Sequence, residues 1–206
     1  MRPTNPETPT TLSAPRSAAA LLASADTLPG KAVLAVGASV LVAVAAHVAL
    51  PLPFTPVPIF LGDMAVLTLG VTLGPATAFS ALLLYLLEGA AGLPVFAPNG
   101  PGGMLQLLGP TGGYLFAYPL VAFTTGIVAR ALSSRTSRFV AGAIGATLAS
   151  ILLFTIGTIW LGTVMHLSAG KAIALAVLPF LFGNLAKIAA AAGIYSATQR
   201  WRQQRA

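Results

Sequence analysis

The chain has 206 residues, of which 56% are hydrophobic and 7% are charged, and its mean hydropathy is +0.87. Soluble domains carry about 25% charged residues, so this composition excludes an ordinary water-soluble fold and predicts a protein of the lipid membrane. A net charge of +7 suggests nucleic acid in a soluble protein, but here the basic residues cluster in the tails and one loop. That clustering is typical of membrane topology, so no nucleic-acid partner is expected. The absence of cysteine excludes disulfides and thiol catalysis.

The N-terminal segment 1–30 is rich in Pro, Thr, Ser and Ala and has no sustained apolar period. Such a composition predicts a disordered cytoplasmic tail. A cleaved signal peptide is the alternative, but the apolar run 17–25 is short and follows a long lead that contains Pro and Glu. At the other end, residues 200–206 are expected to form a basic cytoplasmic tail.

Residues 31–199 predict an all-α integral membrane fold, a six-helix transmembrane bundle with long external loops. The apolar spans are expected at 32–50, 59–73, 76–91, 114–132, 139–163 and 180–198. The Pro-rich stretch 51–58 predicts a stiff extended loop, and the long loop 92–113 is typical of a lid or a disordered segment. A short interfacial helix is expected at 168–178, with Pro179 bending or restarting the chain.

The distribution of arginine and lysine predicts the orientation of the bundle. Arg130, Arg135 and Arg138 lie between the fourth and fifth spans, whereas the two long loops contain neither Arg nor Lys. With both termini in the cytoplasm, these arginines and both basic tails lie inside, as the positive-inside rule requires. Lys171 is the exception, and an interfacial helix allows it to reach the membrane surface. We therefore predict a multi-pass protein of the cytoplasmic membrane.

Ionisable residues inside the predicted spans are the first candidates for a binding site, because charges in hydrocarbon are costly unless paired or placed in a cavity. Asp63, Glu88 and Lys187 all fall in the outer half of their spans, and Asn184 lies on the same helix face as Lys187. This shared depth predicts a polar pocket that opens outward. A structural ion pair between Lys187 and either acid is the alternative.

Aromatic residues near this depth are also candidates. Tyr85, Tyr114 and Tyr118 are candidates to line the pocket and stack on a ligand ring, with the aromatic belt as the alternative. Packing or the belt is favoured for Tyr118, and the belt for Trp160. No metal site is predicted, because the two histidines lack metal-ligand spacing. An intramembrane enzyme is a weak alternative, since the chain has neither an HExxH nor a GxSxG motif.

Ala35, Ser39 and Ala43 form a ladder of small residues, four apart, on the first span. Small residues let transmembrane helices approach closely, so the ladder is a candidate docking face for a partner membrane protein. Packing within the bundle is the alternative.

Four motifs resemble the BioY family, the biotin-binding S components of energy-coupling-factor transporters. They are LPFTPVPI (52–59), LLYLLEGAAGLPVFA (83–97), LGPTGGYL (108–115) and PFLFGNLAK (179–187). Two positions depart from the family pattern, which has Asp where this chain has Asn184 and reads Leu-Gln-Thr where this chain has Leu-Gly-Asp at 61–63. These departures leave an S component for another small vitamin as an alternative.

The resemblance implies a six-helix subunit that binds biotin from outside and works with a transmembrane (T) subunit and two cytoplasmic ATPases. It implies no cofactor, since biotin is the transported ligand. Lys187 is expected to pair with the biotin carboxylate, Asn184 with the ureido group, and Glu88 or Asp63 with the ureido N–H groups. The predicted ligand-binding residues are Asp63, Tyr85, Glu88, Phe96, Asn99, Tyr114, Asn184 and Lys187.

The arginine distribution generates a topological prediction. Accessibility tags at residue 134 and at the C-terminus should be cytoplasmic, and a tag at residue 100 should be external. Labelling with a membrane-impermeant reagent in intact cells measures this directly. Residues 100 and 134 on the same side would contradict the six-span arrangement.

Overall fold

The structure, a computed structural model, describes residues 27–204. Within that range lie eight α-helices and one β-hairpin. The elements are α1 (Leu28–His47), β1 (Ala49–Leu52), β2 (Thr55–Phe60), α2 (Gly62–Leu73), α3 (Pro75–Ala90), α4 (Gly103–Leu108), α5 (Gly112–Leu132), α6 (Arg138–Val164), α7 (Ala169–Ala176) and α8 (Leu181–Gln203). The predicted disorder of residues 1–26 falls outside the described residues.

Four helical segments are long and apolar enough to cross a membrane. They are α1, α5, α6 and the continuous α7–α8 segment Ala169–Gln203. Helices α2 and α3 are apolar but have only 12 and 16 residues. They measure about 18 and 24 Å at 1.5 Å per residue, less than the ~30 Å of the hydrocarbon core. The helical membrane architecture is thus confirmed, while the count of six crossings depends on two short helices.

Both ends of the bundle differ from the predicted boundaries. Helix α1 begins at Leu28, inside the predicted tail, because the Thr27 hydroxyl accepts a hydrogen bond from Gly30 N at 3.2 Å and caps the helix. Helix α8 continues through Gln203, so most of the predicted basic tail is the last turn of a helix. Pro179 lies in a 3₁₀ turn between α7 and α8, as predicted.

The Pro-rich stretch forms an antiparallel hairpin, which corrects the expectation of an all-α fold. Strands β1 and β2 pair Ala49 with Phe60, and Leu50 with Ile59. Proline excludes helix and removes an N–H donor, but a two-stranded hairpin has free edges that tolerate that loss. Thr55 fixes the hairpin to the end of α7 by donating to Leu175 O at 2.9 Å.

The long loop at 92–113 is more ordered than its composition indicated. It contains helix α4, and the buried Gln106 side chain accepts from Gly102 N at 3.2 Å. The indole of Trp160 donates to Gly109 O at 2.9 Å, which fixes the loop to α6. Trp160 therefore anchors the loop, whereas the sequence indicated an aromatic-belt residue.

Helix α5 is central to the bundle and packs against α2, α3 and α6. The approach to α2 and α3 is close because Gly126 faces backbone. A Cβ at that position would lie 2.6 Å from Gly70 O and 2.9 Å from Pro75 N. Gly193 on α8, by contrast, faces open space.

Gly126→Ala should therefore destabilise the bundle by about 1–3 kcal/mol, because backbone atoms of α2 and α3 must move to admit the methyl group. The matched variant Gly193→Ala should be neutral or slightly stabilising, since alanine favours a helix over glycine by about 0.5–1 kcal/mol. Thermal unfolding of the detergent-purified protein measures both. Equal melting temperatures for the two variants would contradict this account of the α5 contact.

Candidate binding site

A cavity of about 310 Å³ lies between the β-hairpin and the 97–111 segment. Its lining is uncharged, and its polar side chains are those of Thr55, Asn99, Gln106 and Thr111. We call it the mouth. Asn99, which the sequence predicted as a ligand-binding residue, thus lies at the mouth. Lys187 and Asp63 line a different cavity.

Two smaller chambers continue from the mouth into the bundle, each about 20 Å³. The upper chamber shares Gln106 and Thr111 with the mouth. The lower chamber shares Phe60 and Tyr114 with the upper one. The three cavities therefore form a series, here called the path, from the hairpin end of the bundle to a charged floor, and each inner chamber has room for about one water molecule.

The floor is formed by an ion pair between α2 and α8. Lys187 Nζ donates to Asp63 Oδ1 and Oδ2, each at 2.8 Å, and to Phe60 O at 2.8 Å. The two side chains are only 11% and 15% exposed. An ammonium group has three donors, and all three are engaged here. The pair between Lys187 and Asp63 that the sequence left open is thus present, and it leaves the floor electrically neutral.

Asn184 lies one turn before Lys187 but contacts a different helix. Its Oδ1 accepts a hydrogen bond from Ser150 Oγ at 3.2 Å, which links α8 to α6. The amide is buried beside the site and does not line either inner chamber. Its contact with Ser150 helps to fix the helix that carries Lys187.

Glu88 lies apart from the chambers, which corrects the expected cluster of acids around Lys187. Its Oε1 is 3.1 Å from Ser39 Oγ, and its side chain lines a separate groove with Val44, His47 and Leu93. The sequence predicted that Glu88 lies at the same depth as Asp63 and Lys187. Helix α3, however, presents Glu88 toward α1 and presents Tyr85 toward the chambers.

Ala35 and Ser39 of the small-residue ladder on α1 are buried within the bundle, which is the alternative that the sequence left open. Ser39 is 0% exposed and Ala35 is 9% exposed. Ala43 is half-buried and packs against the core. Ser39 contacts Glu88 of α3, so the small residues allow α1 to approach its own bundle, while Ala43 also lines the groove beside Glu88.

Of the predicted aromatic residues, Tyr85 and Tyr114 line the inner chambers, and Phe96 packs against Tyr85. Phe96 lies on the face of Gly89 and packs edge-on against Tyr85, with ring centroids 5.3 Å apart. Tyr114 lines both inner chambers and donates its hydroxyl to Ala176 O at 2.9 Å.

Tyr118, for which the sequence favoured packing or the aromatic belt, lines the lower chamber beside the ion pair. Its ring lies 6.4 Å from that of Tyr85 and 6.5 Å from that of Phe60. The available signal was its spacing from Tyr114, because residues four apart share one helix face. Gln106 was missed, since a lone polar residue in a loop gives no sign of its burial.

A family model described as the BioY family matches residues 17–204 of this chain. The probable biotin transporter BioY of Pyrococcus horikoshii is 36% identical over 136 residues, 66% of this chain and 76% of that protein. The biotin transporter BioY of Thermotoga maritima is 36% identical over 152 residues, 74% of this chain and 85% of that protein.

A solved structure has the same fold. It is described as the S-component for biotin from an ECF-type ABC transporter, and it aligns with a TM-score of 0.75. The alignment covers 82% of this chain and 90% of that chain at 22% identity.

The ion pair generates a stability prediction. Asp63→Leu should cost about 3–5 kcal/mol, because it leaves the Lys187 ammonium buried without a counter-charge. The double variant Asp63→Leu/Lys187→Met should lose less stability than Asp63→Leu, since an apolar pair leaves no buried charge. Thermal unfolding in detergent without added ligand measures the cycle.

Glu88→Gln is the matched control, because it also removes a carboxylate from a helix of the bundle but leaves no lysine unpaired. It should have a smaller effect than Asp63→Leu. A double variant that is less stable than Asp63→Leu would show that the pair does not behave as one unit.

Proposed function

Because the chain belongs to the BioY family, we propose that it captures biotin as the substrate-binding S subunit of an energy-coupling-factor transporter and takes part in its uptake across the cytoplasmic membrane. The observation that carries the proposal is the path from the uncharged mouth to the neutral Lys187–Asp63 floor. Biotin has a compact uncharged ureido ring at one end and a carboxylate at the other. The path offers a different environment for each end.

The ureido ring is proposed to occupy the inner chambers, with the carboxylate at the mouth. A carboxylate at the floor would find every Lys187 hydrogen engaged and would lie beside the negative Asp63. Burying a second anion there is costly, whereas an uncharged N–H donor can share the lone pairs of Asp63. This orientation replaces the pairing of Lys187 with the biotin carboxylate that the sequence suggested.

The remaining contacts follow from that orientation. Tyr114, Tyr85 and Phe96 would enclose the apolar part of the ring, since Tyr85 and Tyr114 line the upper chamber and Phe96 packs on Tyr85. Asn99 and Gln106 would hydrogen-bond the carboxylate at the mouth. Asn184 would act by holding α8 in place. Glu88 is left out of the proposed ligand shell because it lines another groove.

Six membrane crossings are proposed, with α2 and α3 as short crossings and both termini in the cytoplasm. In support, the Arg130 guanidinium lies over Gly74, at the α2–α3 turn. This turn therefore belongs to the basic end of the bundle, and the hairpin lies after α1 and before α2 at the other end. Positive residues favour the cytoplasmic side, which leaves the mouth external.

The energising partners are proposed to be separate chains, a transmembrane T subunit and two cytoplasmic ATPases. The sequence contains no GxxxxGK[ST] phosphate-binding motif of its own. Energy for net uptake must therefore come from outside this chain.

Binding of biotin to the detergent-purified protein tests the proposed function. Isothermal titration should show saturable binding of biotin and none of thiamine or riboflavin. Mass spectrometry of small molecules that co-purify should find biotin. Binding of a different vitamin in place of biotin would contradict the proposal and favour an S component of other specificity.

The proposed orientation predicts the response to Lys187→Ala. Lys187 holds the Asp63 carboxylate in place at the floor, so the variant should lose that positioning and bind biotin at least tenfold, or about 1.4 kcal/mol, more weakly. The affinity of the variant for biotin methyl ester should fall by the same factor, because Lys187 does not contact the carboxylate. Titration of both ligands on both proteins gives the comparison.

Lys171→Ala is the control, because that lysine is exposed on α7. It should leave both affinities unchanged. A larger loss for the acid than for the ester would place the carboxylate at Lys187 and reverse the orientation.

A further inference from the structure

Two buried tyrosine hydroxyls lack a hydrogen-bond partner among residues 27–204. They belong to Tyr85, which is 0% exposed, and Tyr118, which is 1% exposed. Tyr114, on the same path, satisfies its hydroxyl with Ala176 O. An unpaired buried hydroxyl costs free energy, so both of these hydroxyls are available to donate to a molecule bound in the site.

Both unpaired phenols line the proposed ligand path. Tyr85 lines the upper chamber and Tyr118 lines the lower chamber. Their ring centroids are 6.4 Å apart and the rings are inclined by 32°, so the two tyrosines, from α3 and α5, are neighbours. Asp63 also lines the lower chamber, where both of its oxygens accept hydrogen bonds from Lys187 and neither phenol donates to them.

The missing partner must be an acceptor. A phenol donates strongly through its single hydrogen, and two phenols are satisfied together by one carbonyl oxygen, which has two lone pairs. An anionic acceptor is disfavoured because Asp63 lies on the same chamber. The chemistry that fits is an uncharged carbonyl with strong acceptor character, as in a cyclic urea.

We infer that Tyr85 and Tyr118 are specificity-determining residues that donate jointly to the urea carbonyl oxygen of the bound ligand. This inference rests on the proposed function, because it takes biotin as the ligand. A ligand without that oxygen leaves two buried donors unpaired, and sites of this kind reject such analogues strongly. The opposite edge of the urea ring, with its N–H groups, then faces Asp63.

Three ligands separate the urea carbonyl from the rest of biotin. Desthiobiotin keeps the urea and lacks the thioether ring. In 2-iminobiotin the carbonyl is replaced by an imine that is protonated at neutral pH and cannot accept a hydrogen bond. Wild-type protein should bind biotin and desthiobiotin and should bind 2-iminobiotin far more weakly. Equal affinity for biotin and 2-iminobiotin would overturn the inference without any variant.

Tyr85→Phe and Tyr118→Phe remove one hydroxyl each and keep the ring. Each substitution should weaken the binding of biotin and of desthiobiotin by about tenfold. The change for 2-iminobiotin should be much smaller, because no hydrogen bond to it is lost. An equal loss for all three ligands would mean that the phenols act only in packing, and unchanged biotin affinity would also overturn the inference.

Tyr195→Phe is the matched control, since Tyr195 is 2% exposed and packs in a separate cluster with Val71 and Ala129. It should leave all three affinities unchanged. Failure of the proposed function has a different signature, because wild-type protein would then not bind biotin at all.

Discussion

A lysine ammonium inside a membrane bundle must be neutralised and fully hydrogen-bonded, and the structure around Lys187 is organised by that requirement. Asp63 supplies the counter-charge from the first turn of α2, and Phe60 supplies a carbonyl from the end of the hairpin. Three separate elements therefore meet at one cation. Their meeting point forms the floor of the path, so the same contacts that stabilise the bundle define the depth and charge of the site.

The sequence specified the fold class, the family and the general region of the site, because these depend on local signals. The lengths of the apolar spans, the positions of the prolines, and the lysine and acidic residues within the spans are all visible without tertiary structure. The direction in which a helix faces its neighbours is not visible in this way. Helix α3 is apolar on most sides, so its sequence does not indicate that Tyr85 faces the chambers while Glu88 faces α1.

The same limit explains the other differences. A ladder of small residues suits an internal contact as well as an external one, and the burial of Ser39 depends on where α3 lies. Strand pairing of the Pro-rich stretch depends on partners three to eleven residues away. Tyr118 was interpreted as packing or aromatic belt because a hydroxyl without a partner has no signature in sequence, whereas the folded structure shows it directly.

The narrowness of the inner chambers has a kinetic consequence. Each measures about 20 Å³, far less than a bicyclic ligand needs. Helices or the hairpin must separate before such a ligand enters, so an opening step precedes binding and slows association. The same barrier delays escape. Slow entry and long residence are then two results of the same narrow chambers.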